Sequence, residues 1–150
     1  MNKNFIIMFI ILTLGLILLI LSYYIVNNKN QKPQIKNIKI SNKEYRVEVV
    51  KSFADQAKGL SQRDNMGEID GMLFEYPDNQ IRSFWMKGMR FDLDIVWIND
   101  NKIIGITKDV SHVDQNKSYK SPEECNMVLE LPAGEAEKNN LQIGDEINFK

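Results

Sequence analysis

Two aspartates two positions apart, Asp92 and Asp94, carry the first spacing in this 150-residue chain that suggests chemistry. On an extended strand they share a face and lie about 7 Å apart at the backbone, from a rise of roughly 3.3 Å per residue. Paired carboxylates do general acid and base work, and in glycosidases their separation decides the stereochemical outcome. Two acids on one strand are more often a solvated or structural pair. Just upstream, F-W-M-K-G-M at 84 to 89 supplies Trp85, Met86 and Lys87. A lysine facing Asp94 across a turn either closes an ion pair, worth about 0–1 kcal/mol when exposed, or flanks a ligand beside the indole. Aromatic rings beside carboxylates suit sugars and other small molecules, while the same Trp85, Trp97, Met86 and Met89 serve equally well as core. The candidate ligand-binding set is therefore Trp85, Met86, Lys87, Asp92 and Asp94, with no residue assigned a catalytic role.

Other reactive side chains are sparse. His112 is the only histidine. With Asp109 and Asp114 nearby it resembles part of a metal site but lacks convergent ligands, so a solvated loop histidine is expected and no metal. Cys125 is the only cysteine, which excludes an internal disulfide, and it reads as a small buried residue just before a strand. No G-x-S-x-G, P-loop or dinucleotide fingerprint occurs, and no cofactor is expected.

The candidate residues need an element to hold them, and period-two alternation over 83 to 99 reads as a hairpin. Ser83, Trp85 and Lys87 share one face of a first strand, and Phe91, Leu93, Ile95 and Trp97 alternate with Asp92, Asp94 and Val96 on a second. Gly88 stands at the turn, where a positive φ is easily taken. A three-residue loop would set Trp85 opposite Leu93 and Asp94 opposite Phe84; a two-residue loop would shift the pairing by one. Elsewhere, Ile35–Ile40 and Tyr45–Val50 read as a hairpin. Ser52 is placed to cap a short helix ended by Gly59. Gly71–Tyr76 reads as a strand closed by Pro77-Asp78-Asn79, and Lys102–Thr107 as another. Residues 109 to 121 read as a polar excursion, 126 to 131 as a strand stopped by Pro132, 133 to 139 as a helix, and 141 to 149 as ending in a strand. Short strands at roughly ten-residue spacing argue for a mainly β fold, a compact antiparallel sandwich or barrel with one or two short helices.

Ahead of this domain lies a different kind of segment. Residues 5 to 26 contain no charged side chain, and as a helix they would span roughly 33 Å at about 1.5 Å per residue, enough to cross a bilayer core. The expected organisation is a basic stub at 1 to 4, a transmembrane anchor or signal-anchor at 5 to 26, a polar tether and first strand at 27 to 43, and a soluble β-rich domain at 44 to 150. A cleaved leader is the alternative, although no small-residue cleavage pattern follows the apolar run. Lys29, Lys32, Lys36 and Lys39 on the C-terminal flank argue for a cytoplasmic domain by the positive-inside rule. A basic stub before an apolar helix argues for export, the orientation taken here. Residues 41 to 150 hold 14 Lys and Arg against 20 Asp and Glu, an acidic balance that excludes a nucleic-acid partner. The lysine-rich flank suits anionic lipid headgroups, and the bilayer itself is the partner of residues 5 to 26.

Six phrases, G-L-S-Q-R (59 to 63), G-M-L-F (71 to 74), F-W-M-K-G-M (84 to 89), L-D-I-V-W-I (93 to 98), V-L-E-L-P-A-G (128 to 134) and I-G-D (143 to 145), come in the order and spacing of one family. Over residues 45 to 150 the chain resembles the domain of unknown function 192 family. The resemblance implies a compact β-rich fold of jelly-roll or sandwich kind, often behind an export signal or membrane anchor, and supplies no activity. Trp85, Lys87 and Asp94 match the family pattern, whereas Asp92 stands where members usually carry proline. The expected function is a membrane-anchored, extracytoplasmic domain that binds a small molecule, glycan or envelope-protein partner without catalysis. Two alternatives stand beside it: an enzyme using Asp92, Asp94 and Lys87 on an envelope carbohydrate or similar substrate, and an accessory domain docking on a membrane protein.

Overall fold

The structure, a computed structural model, describes residues 2–29 and 33–150, with the side chains of 26–29 left aside. Met1 of the expected stub and residues 30–32 of the expected tether lie outside the described residues. The chain divides into two units, Met1–Lys32 and Pro33–Lys150.

The first unit is one helix, α1 (Lys3–Lys29). Its stretch Lys3–Ile25 is long and apolar enough to cross a membrane, and a signal sequence would meet the same test. Two hydroxyls within it bond back along the helix: Thr13 donates to the Ile10 carbonyl at 2.9 Å and Ser22 to the Leu19 carbonyl at 2.8 Å. Such back-bonding satisfies the two hydroxyls that interrupt the apolar run.

The second unit is mainly β. It runs β1 (Gln34–Ile40), β2 (Lys43–Val50), α2 (Phe53–Lys58), β3 (Gly71–Gln80), β4 (Ser83–Trp85), β5 (Leu93–Asn99), β6 (Lys102–Val110), β7 (Ser118–Lys120), β8 (Cys125–Pro132), α3 (Glu135–Lys138) and β9 (Ile147–Phe149). Seven strands form one curled sheet in the order β6-β5-β8-β3-β2-β1-β9, and β4 pairs with β7 apart from it. The mainly β expectation holds. All pairings in the large sheet are antiparallel except β2 with β3. There α2 and the loop after it carry the chain back, so β3 starts at the same end as β2.

The sheet buries both faces. Ile38, Tyr45, Val47, Leu73, Val96, Leu129 and Ala136 belong to a core on one face. Met72, Phe74, Ile95, Trp97 and Val128 belong to a core on the other, beneath Leu60, Met86 and Met89. β5 explains why both are needed: Leu93 through Ile98 are all buried, as in a central strand flanked by β6 and β8.

The expected hairpin over 83 to 99 does not form. Ser83, Phe84 and Trp85 pair with Lys120, Tyr119 and Ser118, and β5 pairs with β6 and β8 instead. Both edges of β5 are taken by long strands with apolar side chains, leaving no place for a short, half-polar neighbour. Gly88 does sit at a turn with a φ of 74°. The turn, closed by the Met89 N–H on the Met86 carbonyl at 3.1 Å, leads into an irregular stretch rather than a returning strand. Two boundaries also differ. β3 continues through Pro77-Asp78-Asn79 by a register shift between Glu75 and Gln80, and the polar excursion contains β7.

Candidate functional site

Register places one carboxyl where nothing in the fold receives it. On β8, Glu130 stands opposite Met72 of β3 and Ile95 of β5. Its side chain therefore emerges between two apolar neighbours on the face that carries Phe74 and Trp97. Glu130 is 5% exposed, and its Oε2 is enclosed without a hydrogen-bond partner. Burial pushes its carboxyl from 4.5 up to about 8, so at neutral pH the protonated form prevails.

Above Glu130 lies a cavity of about 440 Å³, within the range of small-molecule sites. One wall is β3, through Phe74 and Tyr76. Another is β4, through Phe84 and Trp85, and the third is α2 with the turn after it, from Phe53 to Ser61. Each wall is anchored by specific contacts. The Phe84 ring meets Phe74 edge-on at 4.8 Å and Trp97 at 5.7 Å, which holds β4 over the sheet. Trp97 is itself fixed by donating from Nε1 to the Thr107 hydroxyl at 2.9 Å. Ser52 caps α2 by accepting from the Asp55 N–H at 3.2 Å, and the Gln56 amide donates to the Glu75 carbonyl at 2.8 Å, tying the helix to β3. Beyond α2, the Ser61 hydroxyl donates to the Lys87 carbonyl at 2.9 Å and the Gln62 N–H to the Gly88 carbonyl at 2.8 Å. Glycine at position 88 is required by its φ, so the G of F-W-M-K-G-M helps to close the cavity.

Arg82 completes the lining with its charge already engaged. Its guanidinium stacks on the Tyr76 ring at 3.8 Å, and Nη2 donates to Asp78 Oδ1 at 2.6 Å and to the Asp78 carbonyl at 2.5 Å. Nε donates to the Cys125 carbonyl at 3.2 Å. Burial also raises the Tyr76 phenol to about 12, so it remains a neutral donor.

Of the five residues singled out in the sequence, the structure brings one to this cavity. Trp85 lines it and is 61% exposed, so it stands at the rim. Met86 packs fully buried in the core beside it. Lys87 points to solvent, with no ion pair among the described residues, and only its carbonyl is used. Asp94 belongs to the opposite face of β5. It is fully buried, and its two oxygens accept the N–H groups of Asp109 and Ala136, each at 2.9 Å. It therefore clamps the end of β6 and the start of α3 onto β5, and the expected pairing with Lys87 does not occur. Asp92 precedes β5 and is exposed; its Oδ1 accepts the His112 N–H at 2.7 Å and contacts the His112 ring at 2.6 Å. Those contacts hold the Asp92 carboxyl below the usual carboxylate range. They also account for His112, and among the described residues no group of acids, cysteines and histidine could hold a metal ion.

Glu130, Tyr76, Phe74 and Gln56 were missed. The signal for Glu130 was an acid inside V-L-E-L, an apolar run with strand character; a central strand has no wet face for it. Gln56 and Tyr76 gave no comparable signal, because only the pairing of β3 with β8 and the seat of α2 bring them there.

These features define a β-rich domain built on a curled sheet, with an aromatic-walled cavity over a buried acid. The chain belongs to the DUF192 family, described as an uncharacterized ACR, whose profile matches residues 35–149. Two solved structures share the fold. A proposed transcription regulator from Sinorhizobium meliloti 1021 is 23% identical with a TM-score of 0.75, over 80% of this chain and 97% of that one. A protein of unknown function from Novosphingobium aromaticivorans DSM 12444 is 23% identical with a TM-score of 0.71, over 79% of this chain and 94% of that one. No curated protein matches.

Proposed function

We propose that this chain is a membrane-anchored, extracytoplasmic domain that binds a small molecule, without catalysis, in the cavity over Glu130. The observation that supports binding is the unpartnered, enclosed carboxyl at the base of an aromatic recess of about 440 Å³. A fold gains nothing in stability from such a group, since burying a carboxyl without a partner costs free energy. Its presence is understandable if a ligand supplies the partner. Anchoring is supported by the length and composition of α1, and export by the basic stub before it.

The test is thermal unfolding of the full chain in detergent micelles against sugars, amines, amino acids and divalent metals. A ligand at 100 times its dissociation constant adds about 2.7 kcal/mol to the native state. The expected result is a shift from at least one organic class that Trp85→Ala diminishes. No shift from any of them would sink the binding reading. Digestion of the 33–150 domain by protease added outside intact cells tests the orientation, and full protection would refute it.

A further inference from the structure

We propose that the cavity over Glu130 is a receptor for a protonated organic amine, with the Glu130 carboxylate as counter-ion and the aromatic faces as walls. The inference rests on the small-molecule reading above and narrows it to a ligand class.

The contrast among buried acids carries it. Among the described residues three acidic side chains are buried: Glu48, Asp94 and Glu130. Glu48 receives both terminal nitrogens of Arg63 at 2.9 Å, and Asp94 receives two backbone N–H groups. Neither Glu130 oxygen receives a hydrogen bond among the described residues; Oε2 is enclosed, and the residue lines the aromatic cavity. A chain that satisfies two buried acids from within and leaves a third, at a cavity's lining, without a partner leaves that acid to be matched by a donor from outside.

The walls favour a cationic donor. Phe53, Phe74, Phe84 and Trp85 contribute aromatic rings to the lining beside Tyr76, which already carries Arg82, and aromatic faces attract an ammonium group. The charged and titratable groups nearby do not compete for the carboxyl. Arg82 is held by Asp78 and the Cys125 carbonyl, Tyr76 stays neutral, and Lys58 of α2 is exposed where it lines the cavity. From β5 the neighbour is Ile95, and from β3 it is Met72. At neutral pH the free acid is protonated, so a ligand carboxylate gains at most a hydrogen bond from it, whereas an ammonium that ionises it gains a full counter-ion.

Protonation makes the proposal testable. Burial raises free Glu130 to about 8. An ammonium ligand entering at pH 7 therefore ionises the acid: the amine keeps its proton, the Glu130 proton passes to solvent, and about 0.9 proton is released per ligand bound. Apparent affinity should rise about tenfold between pH 6 and pH 7, as the ionised fraction does.

The experiment is titration calorimetry on the full chain in detergent, in two buffers of different ionisation enthalpy. The probes are phenethylamine, its neutral counterpart 2-phenylethanol, and the anion 3-phenylpropionate. The expected result is that the amine binds at least tenfold more tightly than either other probe, with proton release. Glu130→Gln should abolish that preference, and Trp85→Ala should weaken amine binding severalfold while leaving proton release intact. If the alcohol or the anion binds as tightly as the amine, or the amine binds without proton release, the cation assignment falls and the cavity remains a small-molecule site. If no probe binds to folded protein, the amine assignment falls, and the small-molecule reading falls with it only if the wider thermal panel also gives no shift.

Discussion

Glu130→Gln should make the domain more stable, and by an amount that grows with pH. In the unfolded chain the carboxyl ionises near 4.5, whereas burial holds it protonated to about 8 in the folded domain. Folding therefore takes up a proton, and stability present below pH 4.5 is lost progressively as pH rises through 8. At 1.36 kcal/mol per pH unit, the loss is about 1 kcal/mol at pH 5, about 3 kcal/mol at pH 7, and levels off near 5 kcal/mol above pH 9. An amide of the same shape cannot ionise, so the variant escapes this loss. The Pro33–Lys150 unit holds both cores, which makes it a suitable object for urea denaturation. Wild type and variant should have nearly parallel urea slopes, with midpoints that separate by about 2 to 3 kcal/mol between pH 5 and pH 7. A difference that stays constant across this range would show that the Glu130 carboxyl is solvated or paired. The cavity would then hold no unpartnered acid at its base.

Other substitutions separate architecture from binding. Asp94→Ala removes the acceptor of two buried backbone N–H groups and should cost about 3 kcal/mol of stability by urea denaturation, with the cavity's ligand affinity unchanged in the surviving folded fraction. Lys87→Ala should alter stability by less than about 0.5 kcal/mol and leave binding intact, because its ammonium is exposed; a tenfold affinity loss by calorimetry would return Lys87 to the site. Trp85→Ala, at an exposed rim position, should move the thermal midpoint little and reduce affinity severalfold. Gly71→Ala would bring a Cβ to 2.5 Å from the Glu130 carbonyl and 2.8 Å from Leu131 Cδ2, so β3 must shift away from β8. A loss of about 2 kcal/mol is expected in the same urea titration, and a neutral result would refute that close approach.

Local pattern determined a good deal of this protein. Charge-free residues 5 to 26 marked α1, alternation marked β1 and β2, and Ser52 with Gly59 marked the bounds of α2. Each of these is written within a few residues of where it acts, through hydrophobic period, a side-chain cap or a chain break. The mainly β class followed from the same signals summed along the chain. Pairing was another matter. Residues 83 to 99 alternate as a hairpin would, but alternation says which side chains share a face and nothing about which strand lies alongside. Partners were decided by where β8 and β6 had to go to cover both edges of β5; β6 follows directly, but β8 arrives from far along the chain. The same choice set the site. It turned Asp94 to the face where α3 and β6 could satisfy it, and it set Glu130 between Met72 and Ile95, where no donor reaches. The sequence thus determined that this chain carries acids within apolar strands. Only the tertiary structure decided which acid would be paired and which left open, because a buried carboxyl's partner is a property of neighbouring strands rather than of neighbouring residues.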